Sequence, residues 1–328
     1  MDSAQRSRRT CISRRLHPGG FYVRPPAYQV NLMLIATLAL LDIDSPPANF
    51  WTAWSFPLFP LITISATLMI YVSGWRAARR TRPHQLPPWR AACFVAGIVS
   101  LWIAIASPID ALDDYLLAAH MIQHFILMSI APPLIVLGAP SVPLLRGLPK
   151  AFRVALRPLF RVRWLHRFAR FFLHPVSAWL MMNVAYLGWH VPGAFELTFR
   201  SEAIHQLEHA CFFLTSIAFW WVVFAPWPSR RVWPRWAVIP YLLSADVLNT
   251  VLSATLAFSG RVLYPSYLNA ERVSSLTPLQ DQVAAGAEMW VLNSIVFLLP
   301  AVALTFRLLS PRSLHPAPAS STIRSRLV

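Results

Sequence analysis

The chain has 328 residues, a length at which a soluble protein forms about two domains, but only 13% of them are charged where soluble chains carry about 25%. Residues of the set AVILMFWYC make up 56% and the mean hydropathy is +0.49, too apolar for any soluble fold to cover, so a polytopic membrane protein is expected. The net charge of +16 arises from 29 Lys+Arg against 13 Asp+Glu, and Cys11, Cys93 and Cys211 lack the C-x-x-C spacing of a thiol redox motif or a zinc knuckle.

The first segment, 1–49, is a basic leader with Arg6, Arg8, Arg9, Arg14, Arg15 and Arg24, followed by a short apolar run from Ala27 to Leu41. No small-x-small cleavage site follows Leu41, which leans the reading toward a retained, marginal eighth helix over a cleaved signal segment. Runs long enough to cross a bilayer, roughly 17 to 25 residues, lie at 56–75, 91–107, 115–137, 175–192, 203–225, 236–258 and 281–305. They predict an all-α transmembrane bundle of seven spans within 50–306. The Pro/Ser-rich tail, 307–328, is expected to be disordered from Pro311 onward.

Positive charges set the expected orientation. The leader, the loops Arg76–Arg90, Arg146–Arg170 and Arg230–Arg235, and the tail together hold 26 Lys/Arg, whereas the alternate loops hold only Arg200, Arg261 and Arg272. The C-terminus is therefore expected in the cytoplasm. The loop 146–170 interleaves Arg153, Arg157, Arg161, Arg163, Arg167 and Arg170 with Phe152, Leu156, Phe160, Trp164, Phe168, Phe171 and Phe172. It reads as a basic amphipathic helix on the anionic inner leaflet of the lipid bilayer, with no nucleic-acid role expected.

The histidines carry the chemistry. His17, His84, His166, His174 and His315 fall in cytoplasmic or terminal segments, where a solvated role suffices. His120 and His124 open the third span, His205 and His209 open the fifth, and His190 ends the fourth, so all five are expected at the outer end of a helix. Residues i and i+4 share a helix face, so each pair directs two imidazoles one way, and a metal site with ligands from three helices is expected. Imidazole suits copper, zinc, iron or nickel, and Met121, Met128 or Met289 would tilt the choice toward copper(I). Glu208 and Asp281 are candidate additional ligands or acceptors for an imidazole N–H. Asp246 and Glu288 lie deeper, as candidates for proton or ion handling or for contacts with Asn249 and Asn293. No P-loop, G-x-S-x-G or H-E-x-x-H motif occurs, so an enzyme is not expected.

A weak repeat joins the two His pairs. Pro108 precedes His120 by 12 residues and Pro192 precedes His205 by 13, while Ala139-Pro140 and Ala225-Pro226 close the helices 19 and 20 residues after the first His. Two parallel helix hairpins are the implied design.

The string His120-Met-Ile-Gln-His124, with Ala131-Pro132-Pro133 and Gly138-Ala139-Pro140, is followed by His174-Pro175, Trp189-His190-Val-Pro192, His205-Gln-Leu-Glu-His209 and Trp220-Trp221. Leu263-Tyr264-Pro265 with Tyr267, then Asp281-Gln282, Gly286 and Met289-Trp290 complete the pattern. Over about 50–306 these motifs resemble the CtaG family of cytochrome c oxidase assembly factors associated with caa-type oxidases. The chain departs from that family after Trp290, reading Val-Leu-Asn where the family often has a Pro-Gly-rich turn.

The resemblance implies a seven-span protein of the bacterial plasma membrane, needed to make a haem-copper oxidase active, with oxidase subunits as partners and copper delivery as its suspected job. Two other readings stay open at this stage. One is a metal-ion transporter using Asp246 and Glu288, weakened because the last span below Glu288 is polar only at Asn293 and Ser294. The other is a haem-binding redox protein.

Overall fold

The computed structural model describes residues 54–310; the leader, the 27–41 run and the tail from 311 lie outside the described residues. The described residues are helical, with no strand. Helix α1 (Leu58–Arg79) leads to α2 (Pro88–Ala106), which a short α3 (Pro108–Leu112) extends. Ser107 separates these two because its side chain accepts the Ile109 N–H at 3.2 Å while Pro108 takes the first helical position. The next span is composite: α4 (Leu117–Phe125), a π-helical turn (Ile126–Ile130) and α5 (Ala131–Leu137).

That π-turn has an identifiable cause. Pro132 brings no N–H, so the Met128 carbonyl four residues earlier loses its helical donor, and the Ala131 N–H bonds Ile126 instead, five residues back. The freed Met128 carbonyl accepts the buried Trp220 indole N–H at 3.0 Å. A backbone group inside an apolar bundle is thereby satisfied from a neighbouring helix.

The basic loop differs from the single amphipathic helix expected. It is broken at Pro149 and Pro158 into α6 (Ser141–Gly147), α7 (Lys150–Leu156), a 3-10 turn (Leu159–Arg161) and α8 (Arg163–Phe172). Helix α6 packs against α1, where a Cβ on Gly74 would lie 1.8 Å from the Pro143 carbonyl oxygen, so only glycine permits that approach. Neither α7 nor α8 buries a residue, and Phe152, Trp164, Phe168 and Phe171 are exposed.

The remaining elements are α9 (Pro175–Trp189), α10 (Pro192–Arg200), α11 (Glu202–Phe224), a 3-10 turn (Arg235–Ala237), α12 (Val238–Phe258), α13 (Ser266–Asn269) and α14 (Pro278–Leu309). Among the described residues, six segments are long and apolar enough to cross a membrane: Leu58–Arg79, Pro88–Leu112, Leu117–Leu137, Glu202–Phe224, Arg235–Phe258 and Pro278–Leu309. The segment expected as the fourth span is α9, whose 15 residues rise about 22 Å, short of a hydrocarbon core of roughly 30 Å. Pro192 holds Val191 extended and ends the helix there, so 190–192 form a corner and not a continuation.

At the centre, α14 packs along α12 and against α4, while α11 packs on α9 and α5. A Cβ on Gly286 would lie 2.8 Å from the Ala257 backbone nitrogen, so glycine sets how closely α14 approaches α12. Thr277 and Gln280 form a capping box at the start of α14, and the helix then runs unbroken through Val291, Leu292 and Asn293, the point at which the sequence departs from the family's Pro-Gly-rich turn. The two Ala-Pro helix ends are also alike: Ala139 (φ 50°) and Ala225 (φ 42°) are the two non-glycine residues with positive φ among those described.

Candidate metal centre

The starts of α4 and α11 meet at one end of the bundle, and each i,i+4 pair faces the other. Ring centroids are 4.2 Å apart for His120 and His124, 4.2 Å for His205 and His209, 5.3 Å for His120 and His205, and 5.5 Å for His124 and His209. Glu208, fully buried, lies among them: one carboxylate oxygen is 3.9 Å from His120 Nε2 and 3.7 Å from His124 Nε2. Asp113, on the turn between α3 and α4, places a carboxylate oxygen 3.6 Å from His205 Nε2.

The six side chains form three overlapping donor groups: Asp113, His120 and His205; His120, His124 and Glu208; and His205, Glu208 and His209, each with its ligand atoms within 4.8 Å. Two donors held at ~2.0–2.2 Å by one ion stand at most about 4 Å apart, so the measured His–carboxylate separations suit a shared ion. They are too long for hydrogen bonds, and the donors have no other partners. His120 Nε2, both nitrogens of His124 and His209, His205 Nε2, both Glu208 oxygens and Asp113 Oδ2 are buried without a hydrogen-bond partner. Orphaned polar atoms are costly in an apolar interior, and such a concentration is the arrangement a metal ion would satisfy. These buried His, Asp and Glu groups could therefore hold a metal.

The walls are aromatic. Phe195 and Phe199 face His120 and Phe212 faces His124, with centroids at 5.1, 6.3 and 4.7 Å. His205 is the most exposed of these histidines, its side chain keeping 15% exposure while His120 keeps 2%. Burial, followed by the nearby carboxylates of Asp114 and Asp110, pushes the Asp113 carboxyl well above the ordinary range.

Several sequence expectations find different roles here. Asp281 does not reach an imidazole: its two oxygens accept the Leu117 and Ala118 N–H groups at 2.7 and 3.1 Å. Helix α4 has no cap of its own, and this carboxylate from α14 satisfies its first donors and complements its dipole. Asp281 is thus a positioning residue for the His-bearing helix. His190 is nearest to His124, with centroids 5.9 Å apart, but joins none of the three donor groups. Its Nδ1–H donates to the Tyr186 carbonyl at 2.7 Å, leaving Nε2 without a partner.

Met121 lies below the cluster on a cavity wall shared with His124 and His190. Among the described hydrogen bonds, none joins the deep acids to each other or to the asparagines. Asp246 accepts from Ser294 at 2.8 Å, and the Glu288 Oε2 is buried without a partner.

Sequence reasoning overlooked Asp113 as a site residue, although it stands seven residues before His120. It also left two tyrosines unexplained. Tyr264 donates to the His190 carbonyl at 3.0 Å and Tyr267 to the Asp113 carbonyl at 2.7 Å, so the 263–267 segment ties down the backbone of both. Gln282 anchors that segment in turn, accepting from the Leu263 N–H and donating to the Leu256 and Arg261 carbonyls.

Residues 69–310 match the family model of the cytochrome c oxidase caa3 assembly factor, Caa3_CtaG. The chain belongs to this CtaG family. Uncharacterized proteins of Mycobacterium bovis and Mycobacterium tuberculosis are each 26% identical to it over 280 residues, 80% of this chain and 40% of theirs. One from Mycobacterium leprae is 25% identical over 274 residues, covering 80% of this chain and 41% of that protein. The chain thus spans about two fifths of the length of these relatives. No solved structure matches it. The CtaG motifs now have physical roles: the His strings form the cluster, Asp281 caps α4, Gly286 admits α12, and Trp220 satisfies Met128.

Proposed function

We propose that this CtaG-family chain is a cytochrome c oxidase assembly factor that holds copper at the His cluster and passes it to an apo-subunit of a haem-copper oxidase. The observation that carries the reading is the gathering of Asp113, His120, His124, His205, Glu208 and His209 with their ligand atoms unpaired. Imidazole donors suit copper as they suit zinc, iron and nickel, copper being the ion that the assembly of a haem-copper oxidase calls for, and a partly exposed edge at His205 suits a site that must release its ion. The protein is read as non-catalytic, in keeping with the assembly-factor family to which it belongs.

Counting α9 as a span with its following corner gives seven crossings in a bacterial plasma membrane. The 26-to-3 distribution of Lys/Arg then puts the C-terminus in the cytoplasm and the cluster on the outer face, where an oxidase subunit exposed on that side can meet it. A transporter gains little support, because the polar residues below the cluster end on buried Phe297 and Trp220, whose rings stack 5.9 Å apart.

Metal analysis of detergent-purified protein tests the reading, wild type beside His120→Ala/His124→Ala. The variant is expected to hold less copper than the wild type, by the share bound at the cluster. Equal copper in both would overturn the His cluster as its holder.

A further inference from the structure

Beneath the cluster lies an internal cavity of about 20 Å³, bounded by α4, the π-turn, α9, α12 and α14. That is room for about one water-sized guest. Four of the chain's eight methionines, Met121, Met128, Met182 and Met289, converge on it from four separate elements. His124 and His190 form its upper wall, and asparagines, a tyrosine, a serine and apolar side chains complete it.

The polar groups divide into two kinds. The Tyr186 hydroxyl and the Asn293 amide donate to the Asn249 carbonyl oxygen, Ser129 donates to that of Asn293, and Asn183 donates to the Trp179 backbone carbonyl. These groups hold one another and brace the wall. The imidazoles are different: His190 Nε2 and both His124 nitrogens are buried without partners. Because His190 Nδ1–H is spent on the Tyr186 carbonyl, its Nε2 carries a free lone pair, the state in which histidine binds a metal.

The free donors around this cavity are therefore thioether sulfur and neutral imidazole, and none of its lining residues is a carboxylate. A neutral lining in an apolar interior penalises a divalent ion more than a monovalent one. Thioethers select the soft ion over sodium or potassium. Methionine as mere filler would explain packed sulfur, but here a cavity remains, and an unpaired imidazole nitrogen borders it.

We propose that this chamber is a second metal site, which binds monovalent copper through the methionine sulfurs and His190. It is separate from the His–carboxylate cluster, with His124 standing between the two, and it does not depend on which ion the upper cluster takes. No redox step is involved, since the ion enters and stays as Cu(I).

The test uses full-length protein in detergent, loaded anaerobically with Cu(I) from a bicinchoninate complex, with stoichiometry and copper X-ray absorption as readouts. Wild type should show a sulfur shell around copper. Met182→Leu/Met289→Leu, a volume-conserving change at residues outside the upper cluster, should lose that shell and about one equivalent of Cu(I). His205→Ala/His209→Ala, at residues that do not line the chamber, should keep the shell. A wild-type protein without sulfur scattering, or a methionine variant that keeps it, overturns the chamber. A methionine result as expected, beside His120→Ala/His124→Ala protein with unchanged copper, leaves the chamber standing and sinks the cluster's role.

Discussion

Pro132 removes one hydrogen-bond donor from the interior of a span, and one indole on another helix compensates. Trp220→Phe keeps the ring but leaves the Met128 carbonyl unsatisfied in an apolar interior. It should cost about 1–3 kcal/mol, read as a lowered midpoint of thermal unfolding in detergent; an unchanged midpoint would show that the carbonyl finds another donor. Glu208 is the residue-scale test of the cluster. Its carboxylate is fully buried between two imidazoles with no other partner, so Glu208→Gln retains the shape and removes the charge. Copper affinity should fall at least about tenfold, within the range seen when groups around a metal are altered. A competition titration giving the same affinity for Gln as for Glu would exclude the carboxylate from binding, and His84→Ala, in a loop away from the cluster, should leave affinity unchanged.

At the scale of elements, the bundle is held by close backbone approaches and by carboxylate or indole links between helices. Gly286→Val would drive a side chain into the Ala257 nitrogen and the Ser253 carbonyl, forcing α12 and α14 apart. A loss of at least ~1–3 kcal/mol is expected from overpacking, together with a disturbed Asp281 contact to α4; native-like stability would mean the two helices have more room than their geometry indicates. The Ala-Pro helix ends offer the opposite sign. Ala225 sits at φ 42°, a conformation that costs a residue with a Cβ roughly 1–2 kcal/mol. Ala225→Gly should therefore stabilise, by about 1 kcal/mol after the entropy glycine adds to the unfolded chain, and a thermal melt that moves downward would contradict this account of the corner.

For the whole molecule, topology and physiology must agree. Reporter fusions near Arg161 and at the C-terminus should report the cytoplasm, and a fusion near Glu196 the outside; the reverse at Glu196 would turn the cluster inward and remove the delivery reading. Loss of the protein should lower haem-copper oxidase activity while the oxidase polypeptides are still made, since a missing ion disables a site more directly than it stops synthesis. Added copper should restore part of that activity. Full oxidase activity in a double-His variant under copper limitation would leave only a scaffold role based on helix packing.

Composition and charge determined the membrane class, the positions of the six long spans and the expected orientation, because length, hydropathy and arginine placement are local properties summed along the chain. The i,i+4 histidines were legible for the same reason, since a helix of known pitch puts them on one face. The tertiary structure decided the rest. Only packing brought Asp113 across a turn to His205, sent Asp281 to the start of α4, moved His190 to the chamber, and turned four methionines from separate elements onto one cavity. Spans that are apolar on nearly every side carry little periodicity to show which face meets a neighbour. The rotation of each helix is set by contacts such as Gly286 against α12 and Trp220 against Met128, which join residues far apart in the chain and close only when the helices have packed.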